Sequence, residues 1–297
     1  MTRYQRIVLG VPGRYEPLTD AVCTLTDGRR LAYAVWGDPD GEIAFLFHGA
    51  PGSRMFAPDR SVTAQAGVRL VTVDRPGYGG SDPYAGREIL DWPTDVRQLA
   101  DRLEAARFAV LAHSSGGPYA LACALKMPDR VSGVALVSCV APYDARPADA
   151  TDNDEALTDL ARQVPERAVA QVAQDAAWLV ADPDRFLALP RPELDGLLLA
   201  DPDVRGMFGR AIREAVRQGI DAYAWECVVE RRPWDFTLAD IDAEVAIWQG
   251  GQDVAAPPAQ AAVLARAVPR NHLHLVHDAG HGLILSAWKE ILNDLKH

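Results

Sequence analysis

The chain has 297 residues, is 48% hydrophobic and carries a formal net charge of −11 at pH 7. That suits one large α/β domain with an insertion, or two small domains, around a full apolar core. The acidic balance argues against nucleic acid or an anionic membrane surface as a partner.

Residues 1 to 20 are mixed, hold Pro12, Gly13 and Pro17, and read as a loosely organised leader. Ala21 to Asp27 alternates as a strand, Asp27-Gly28 marks a tight turn, and Arg30 to Trp36 is the returning strand. Ile43 to Phe47 is apolar without alternation, as in a strand buried on both faces. It ends at the glycine-rich run His48-Gly49-Ala50-Pro51-Gly52. Val68 to Asp74 is a further buried strand, followed by the long turn Arg75 to Pro83. Asp91 to Ala106 has helical periodicity. A strand then begins at Phe108 and breaks at Ala112-His113-Ser114-Ser115-Gly116, with a new helix running to Met127. Val131 to Val140 is another apolar strand.

From about Ala141 to Pro233 strand signals vanish. Glu155–Gln163, Glu166–Val180, Asp203–Gln218 and Ile220–Arg231 read as helices broken by prolines. This segment, 141–233, is expected to form a helical lid (cap), the alternative being helices packed elsewhere on the sheet. Val245 to Trp248 resumes the buried-strand pattern, Pro258 to Ala267 is helical, Asn271 to His277 is a last strand, and Leu283 to Leu295 a closing helix. Strands alternating with helices predict a largely parallel sheet, with its chemistry at the carboxyl ends of the strands. The core is thus expected over 21–140 and 234–297.

A serine on a sharp strand-to-helix turn has its hydroxyl pushed clear of the backbone, the arrangement usually written G-x-S-x-G. Here Ala112 replaces the first glycine, and Ser114 falls at the nucleophile position. Shifting the frame promotes Ser115 but puts bulky His113 where a small residue is wanted. A serine hydroxyl needs a histidine base, and the base an acceptor for its other nitrogen. His281, in the loop Asp278-Ala279-Gly280-His281-Gly282 after the last strand, is the expected base, with His277 the rival. Asp253, on the turn Gly250-Gly251-Gln252-Asp253, is the expected acid, with Asp144 the runner-up. The backbone N–H groups of Ser115 and Ala50 are the candidate oxyanion donors, since Pro51 has none. His48 is expected to bond inside its own loop.

These motifs, with Asp74-Arg75-Pro76-Gly77-Tyr78-Gly79-Gly80-Ser81, resemble those of capped α/β hydrolases from about residue 21 to the end, the lid excepted. The resemblance implies an eight-stranded sheet, a cofactor-free Ser-Asp-His triad and a structural role for residues 74 to 81. His-Gly-x-Pro loops also occur in epoxide hydrolases and haloalkane dehalogenases, but those use an aspartate nucleophile where this chain has Ser114. Carboxylesterases, carbon–carbon bond hydrolases, proline iminopeptidase-like enzymes and lactonases fit the serine. Ester hydrolysis through an acyl-enzyme is the expected activity. A lyase, cyclase or acyltransferase on the same triad, and a ligand-binding protein, are the alternatives.

Trp178, Phe186, Met207, Phe208, Tyr223 and Trp225 are candidates to line an apolar pocket under the lid, although aromatics at helical spacing also serve as plain core. The four cysteines form no C-x-x-C pair and show no metal-ligand spacing; with the cofactor-free triad that the resemblance implies, neither metal nor organic cofactor is expected. No apolar run approaches the ~20 residues that span a bilayer. With no signal-peptide pattern in the first residues, a cytoplasmic protein acting on a small molecule is expected, with a homodimer left open.

Overall fold

The computed structural model describes residues 13–146 and 154–295. Eight strands build one sheet: β1 (Thr19–Thr24), β2 (Arg30–Gly37), β3 (Glu42–Phe47), β4 (Val68–Val73), β5 (Phe108–His113), β6 (Val131–Val137), β7 (Val245–Gly250) and β8 (Asn271–Val276). Their spatial order is β1-β2-β4-β3-β5-β6-β7-β8. The β1–β2 and β2–β4 pairs are antiparallel and the rest parallel. Every residue of β7 is buried, as its unbroken apolar run requires, whereas every residue of edge strand β8 is exposed or half-buried. The parallel register sets Phe47 beside Ala112, His113 beside Val137, and Val137 beside Trp248, so β3, β5, β6 and β7 all end at one edge.

The helices are α1 (Arg60–Gln65), α2 (Trp92–Arg102), α3 (Gly117–Lys126), α4 (Glu155–Gln163), α5 (Pro165–Asp175), α6 (Trp178–Ala181), α7 (Glu193–Leu199), α8 (Pro202–Ala215), α9 (Asp221–Arg231), α10 (Pro258–Ala267), α11 (Leu283–Ser286) and α12 (Trp288–Asp294). Apolar side chains cover both faces of the sheet. Phe47, Trp92, Tyr119 and Leu136 belong to one buried cluster, and Trp36, Leu46, Leu111 and Trp288 to the other. The insertion α4–α9 forms the helical cap, between β6 and β7 in the chain.

Some expectations need correction. Residues 1–12 of the expected leader lie outside the described residues, but the remainder is not loose: Tyr15 is buried in the second cluster and Arg14 pairs with Asp59 at 2.6 Å. The helix expected over Glu166–Val180 divides into α5 and α6, and the closing helix divides at Ala287 into α11 and α12. Helix α7 was not foreseen, because seven residues give under two turns of periodicity and prolines at 190 and 192 precede it.

Candidate active site

Strand β5 ends at His113, and Ser114 follows with φ +55°, a left-handed conformation rare for a residue with a side chain. Such strain persists only where its surroundings enforce it. Here α3 starts hard against the neighbouring strands. A Cβ on Gly116 would stand 2.3 Å from the Phe47 carbonyl oxygen, and one on Gly117 would stand 2.8 Å from Cys139 Cβ. The two glycines therefore let helix and sheet close around Ser114. Ser114 lines a cavity of about 270 Å³ between sheet edge and cap. Ser115 is buried and its side chain bonds Glu230 of α9, so it does not compete for that position.

His281 lines the same cavity. Its Nδ1 donates to Asp253 Oδ2 at 2.9 Å, with Oδ1 at 3.1 Å, which leaves Nε2 as the nitrogen free to act. Asp253 is itself fixed: Oδ1 accepts the N–H groups of Ala255 and Ala256, each at 2.9 Å. Burial works to raise the Asp253 pKa, but the His281 contact and the Ala256 N–H outweigh it and hold the carboxyl below its ordinary value. Burial works to lower the His281 pKa. The bond to Asp253 and its charge, together with the charge of Asp195, carry it above the ordinary histidine value. Asp144, the runner-up acid, instead pairs with Arg162 of α4, and His277 is exposed.

The loop around Ala50 is held from below. His48 Nδ1 donates to the Gly49 carbonyl at 2.7 Å, as expected of a residue bonding in its own loop. Fully buried Arg75 donates through Nη1 to the His48 carbonyl at 2.6 Å. Arg75 also forms a buried ion pair with Glu226 of α9, whose carboxylate receives Arg87 Nη2 at 3.1 Å as well. The stretch 74–81 thus does structural work, tying the cap to the loop that carries Ala50.

Of the six expected lining residues, Phe186 and Phe208 face the cavity. The other four do not. Trp178 packs with Leu179, Ile212 and Val216; Met207 lies in the core cluster behind the cavity. Tyr223 bonds Cys227, and Trp225 donates Nε1–H to the Arg87 carbonyl at 2.8 Å. Helical periodicity marked them as inward-facing, and inward here means core.

A protein-family model described as alpha/beta hydrolase fold matches residues 45–287. The chain belongs to the α/β-hydrolase fold family. It is similar to a non-heme chloroperoxidase of Streptomyces lividans, 27% identical over 91% of this chain and 95% of that protein. A proline iminopeptidase of Arabidopsis thaliana is 30% identical over 41% of this chain and 33% of its own length. For several such relatives the likeness spans only 33% to 50% of their length. A thermophilic esterase from Thermogutta terrifontis superposes with a TM-score of 0.65 at 22% identity, covering 94% of this chain and 97% of that one. That last likeness shows the fold.

Two features of this α/β hydrolase escaped the sequence reading. In the sequence His113 stands out only for its bulk. Its Nε2 donates to the His281 carbonyl at 3.0 Å, and its ring stacks on Phe56 with centroids 5.3 Å apart. Burial and the charge of His281 push its pKa down to about 3, so it stays neutral and keeps that donor. Asp195, on the unforeseen α7, accepts the N–H of His281 at 3.1 Å and of Gly282 at 2.8 Å. A Cβ on Gly280 would stand 2.6 Å from Asp195 Oδ1, and one on Gly282 2.2 Å from Leu198 Cδ1. Glycines on both sides of His281 are the local signal that something presses on that loop; the sequence does not say what.

Proposed function

We propose that this α/β hydrolase cleaves a carboxylic ester of a small molecule through an acyl-enzyme. The observation that carries the reading is Ser114, held at positive φ on its turn, facing the same cavity as a histidine whose Nδ1 is locked by buried Asp253. Ser114 Oγ attacks the ester carbonyl carbon as His281 Nε2 takes its proton. Asp253 keeps the proton on Nδ1 and stabilises the imidazolium. The N–H groups of Ser115 and Ala50 receive the negative oxygen of the tetrahedral intermediate. Its collapse expels the alcohol, which takes the proton from His281. Water then attacks the acyl group with His281 again as base, releasing the acid and freeing Ser114.

The cavity favours an ester over a substrate with a free amine. The carboxylate that lines it, Asp195, already accepts two backbone N–H groups, and most of the wall is apolar. The name esterase among the structural neighbours agrees with this choice.

Fluorophosphonate labelling with peptide mapping tests the assignment. Label on Ser114 alone is expected, with ester turnover falling at least about a thousand-fold in Ser114→Ala. Turnover retained in that variant refutes it.

A further inference from the structure

The cavity wall is apolar apart from the side chains of His113, Ser114, Arg191, Asp195 and His281. Four of these are committed. Ser114 and His281 serve the chemistry proposed above, His113 holds the His281 carbonyl, and Asp195 holds two N–H groups of the same loop. Arg191 is left over. It stands between Pro190 and Pro192, just ahead of α7, and is the one permanent cation among the described residues that line the cavity.

Its guanidinium is positioned without being neutralised. Nη1 donates to the Leu189 carbonyl at 2.9 Å and Nη2 to that of Phe186, while the planar group lies over the Phe186 ring, 5.2 Å from its centroid. These contacts use carbonyl oxygens and a ring face, and the remaining N–H donors are left for other partners. No carboxylate among the described residues forms an ion pair with it. Four of the most buried arginines differ: Arg29, Arg54, Arg75 and Arg87 each sit in a carboxylate pair, and those pairs push their pKa values up. Arg191 is shifted the other way. Burial lowers it, Asp195 offsets part of that, and Arg205 adds to it. It remains a cation, desolvated in part and in no ion pair among the described residues.

A desolvated guanidinium with free donors in an apolar cavity is a receptor for a planar anion. We propose that the substrate is an ester carrying a carboxylate besides its scissile carbonyl, and that Arg191 receives that carboxylate. The proposal rests on the ester-hydrolase reading. It adds what that reading lacks, the chemical class of the rest of the substrate.

The test compares matched esters. Half-esters of succinic, glutaric and adipic acid place a carboxylate on the acyl side, and 3-acetoxypropanoic acid, acylated on its hydroxyl, places it on the alcohol side. Each is paired with a neutral ester in which isopropyl replaces the carboxylate. The full-length protein is expected to favour the anionic member of at least one pair in kcat/KM by about ten- to a hundred-fold, the worth of one charge-assisted contact. Arg191→Gln is expected to bring that ratio close to one, and Arg191→Lys to keep part of it. Equal or better cleavage of the neutral members overturns the proposal, as does a preference that survives Arg191→Gln. Calorimetric titration of monoethyl succinate into Ser114→Ala, with and without Arg191→Gln, reads the contact without turnover. Binding weakened at least about tenfold by Arg191→Gln supports the proposal; binding that is absent, or indifferent to that change, overturns it. Absence of turnover in both series together with Arg191-dependent binding would count against the hydrolase reading and leave the anion site standing.

Discussion

Asp195→Ala removes a cap side chain that touches the His281 loop only through its backbone. Two donors, the N–H groups of half-buried His281 and Gly282, lose a buried acceptor. Each unsatisfied buried donor costs about 1–3 kcal/mol. The loop therefore has a few kcal/mol to gain by moving, and His281 moves with it. A displacement near 1 Å at a reacting group costs about a hundred-fold, so the plateau of kcat/KM should fall about ten- to a hundred-fold. The charge of Asp195 also helps raise the His281 pKa. Its loss lowers that pKa, so neutral base appears at lower pH and the acid limb of the rate profile moves down. Asp195→Asn separates the two effects: it keeps an accepting oxygen but no charge, so the limb should move as in the alanine variant while the plateau falls less. The assay is a pH profile of kcat/KM on a good ester for all three proteins. A plateau within about twofold of the parent, with an unmoved acid limb, would refute the coupling between α7 and His281.

The acid limb of the parent profile should have an apparent pKa above 6.5, because only neutral His281 accepts the proton and Asp253 holds its pKa up; Asp253→Asn should cost on the order of a thousand-fold or more, and a flat profile between about pH 5 and 9 would contradict the base assignment. Glu226→Ala strands two buried guanidinium groups, Arg75 and Arg87, and should destabilise by about 3–5 kcal/mol, read as a lowered urea midpoint; an unchanged midpoint would show that the pair is not holding cap to core. Gly116→Ala drives a Cβ to 2.3 Å from the Phe47 carbonyl oxygen and should cost at least about 1–3 kcal/mol of stability and most of the activity; a wild-type melting curve would mean that α3 can start further from the sheet.

Much of the site can be read in one dimension because its parts are short motifs at strand ends. Ser114 on its turn, Asp253 on a double-glycine turn and His281 between glycines are local arrangements, and the parallel sheet turns sequence distance into proximity. The sequence already prefers Asp253 to Asp144 and His281 to His277, and the coordinates add what each of them bonds. Residue type at a strand end says that a group can reach the cavity edge, whereas only geometry says what it bonds. The cap was the harder part. Apolar periodicity in α8 and α9 reports that a face is covered, and cannot say whether core or cavity covers it. Phe208 meets the cavity, while Met207 and Trp225 meet the core.

The sequence by itself determined the strand and helix alternation and the turns that expose a serine, an aspartate and a histidine, because these depend on residues a few positions apart. Tertiary structure alone decided that Asp195 of the cap holds the histidine loop 86 residues away, that Glu226 neutralises Arg75 across 151 residues, and that Arg191 lines the cavity with no ion pair to a carboxylate among the described residues. A charge pair or a backbone contact across such separations leaves no periodic trace in the chain. It exists only once packing has brought the partners together and excluded the water that would otherwise solvate them.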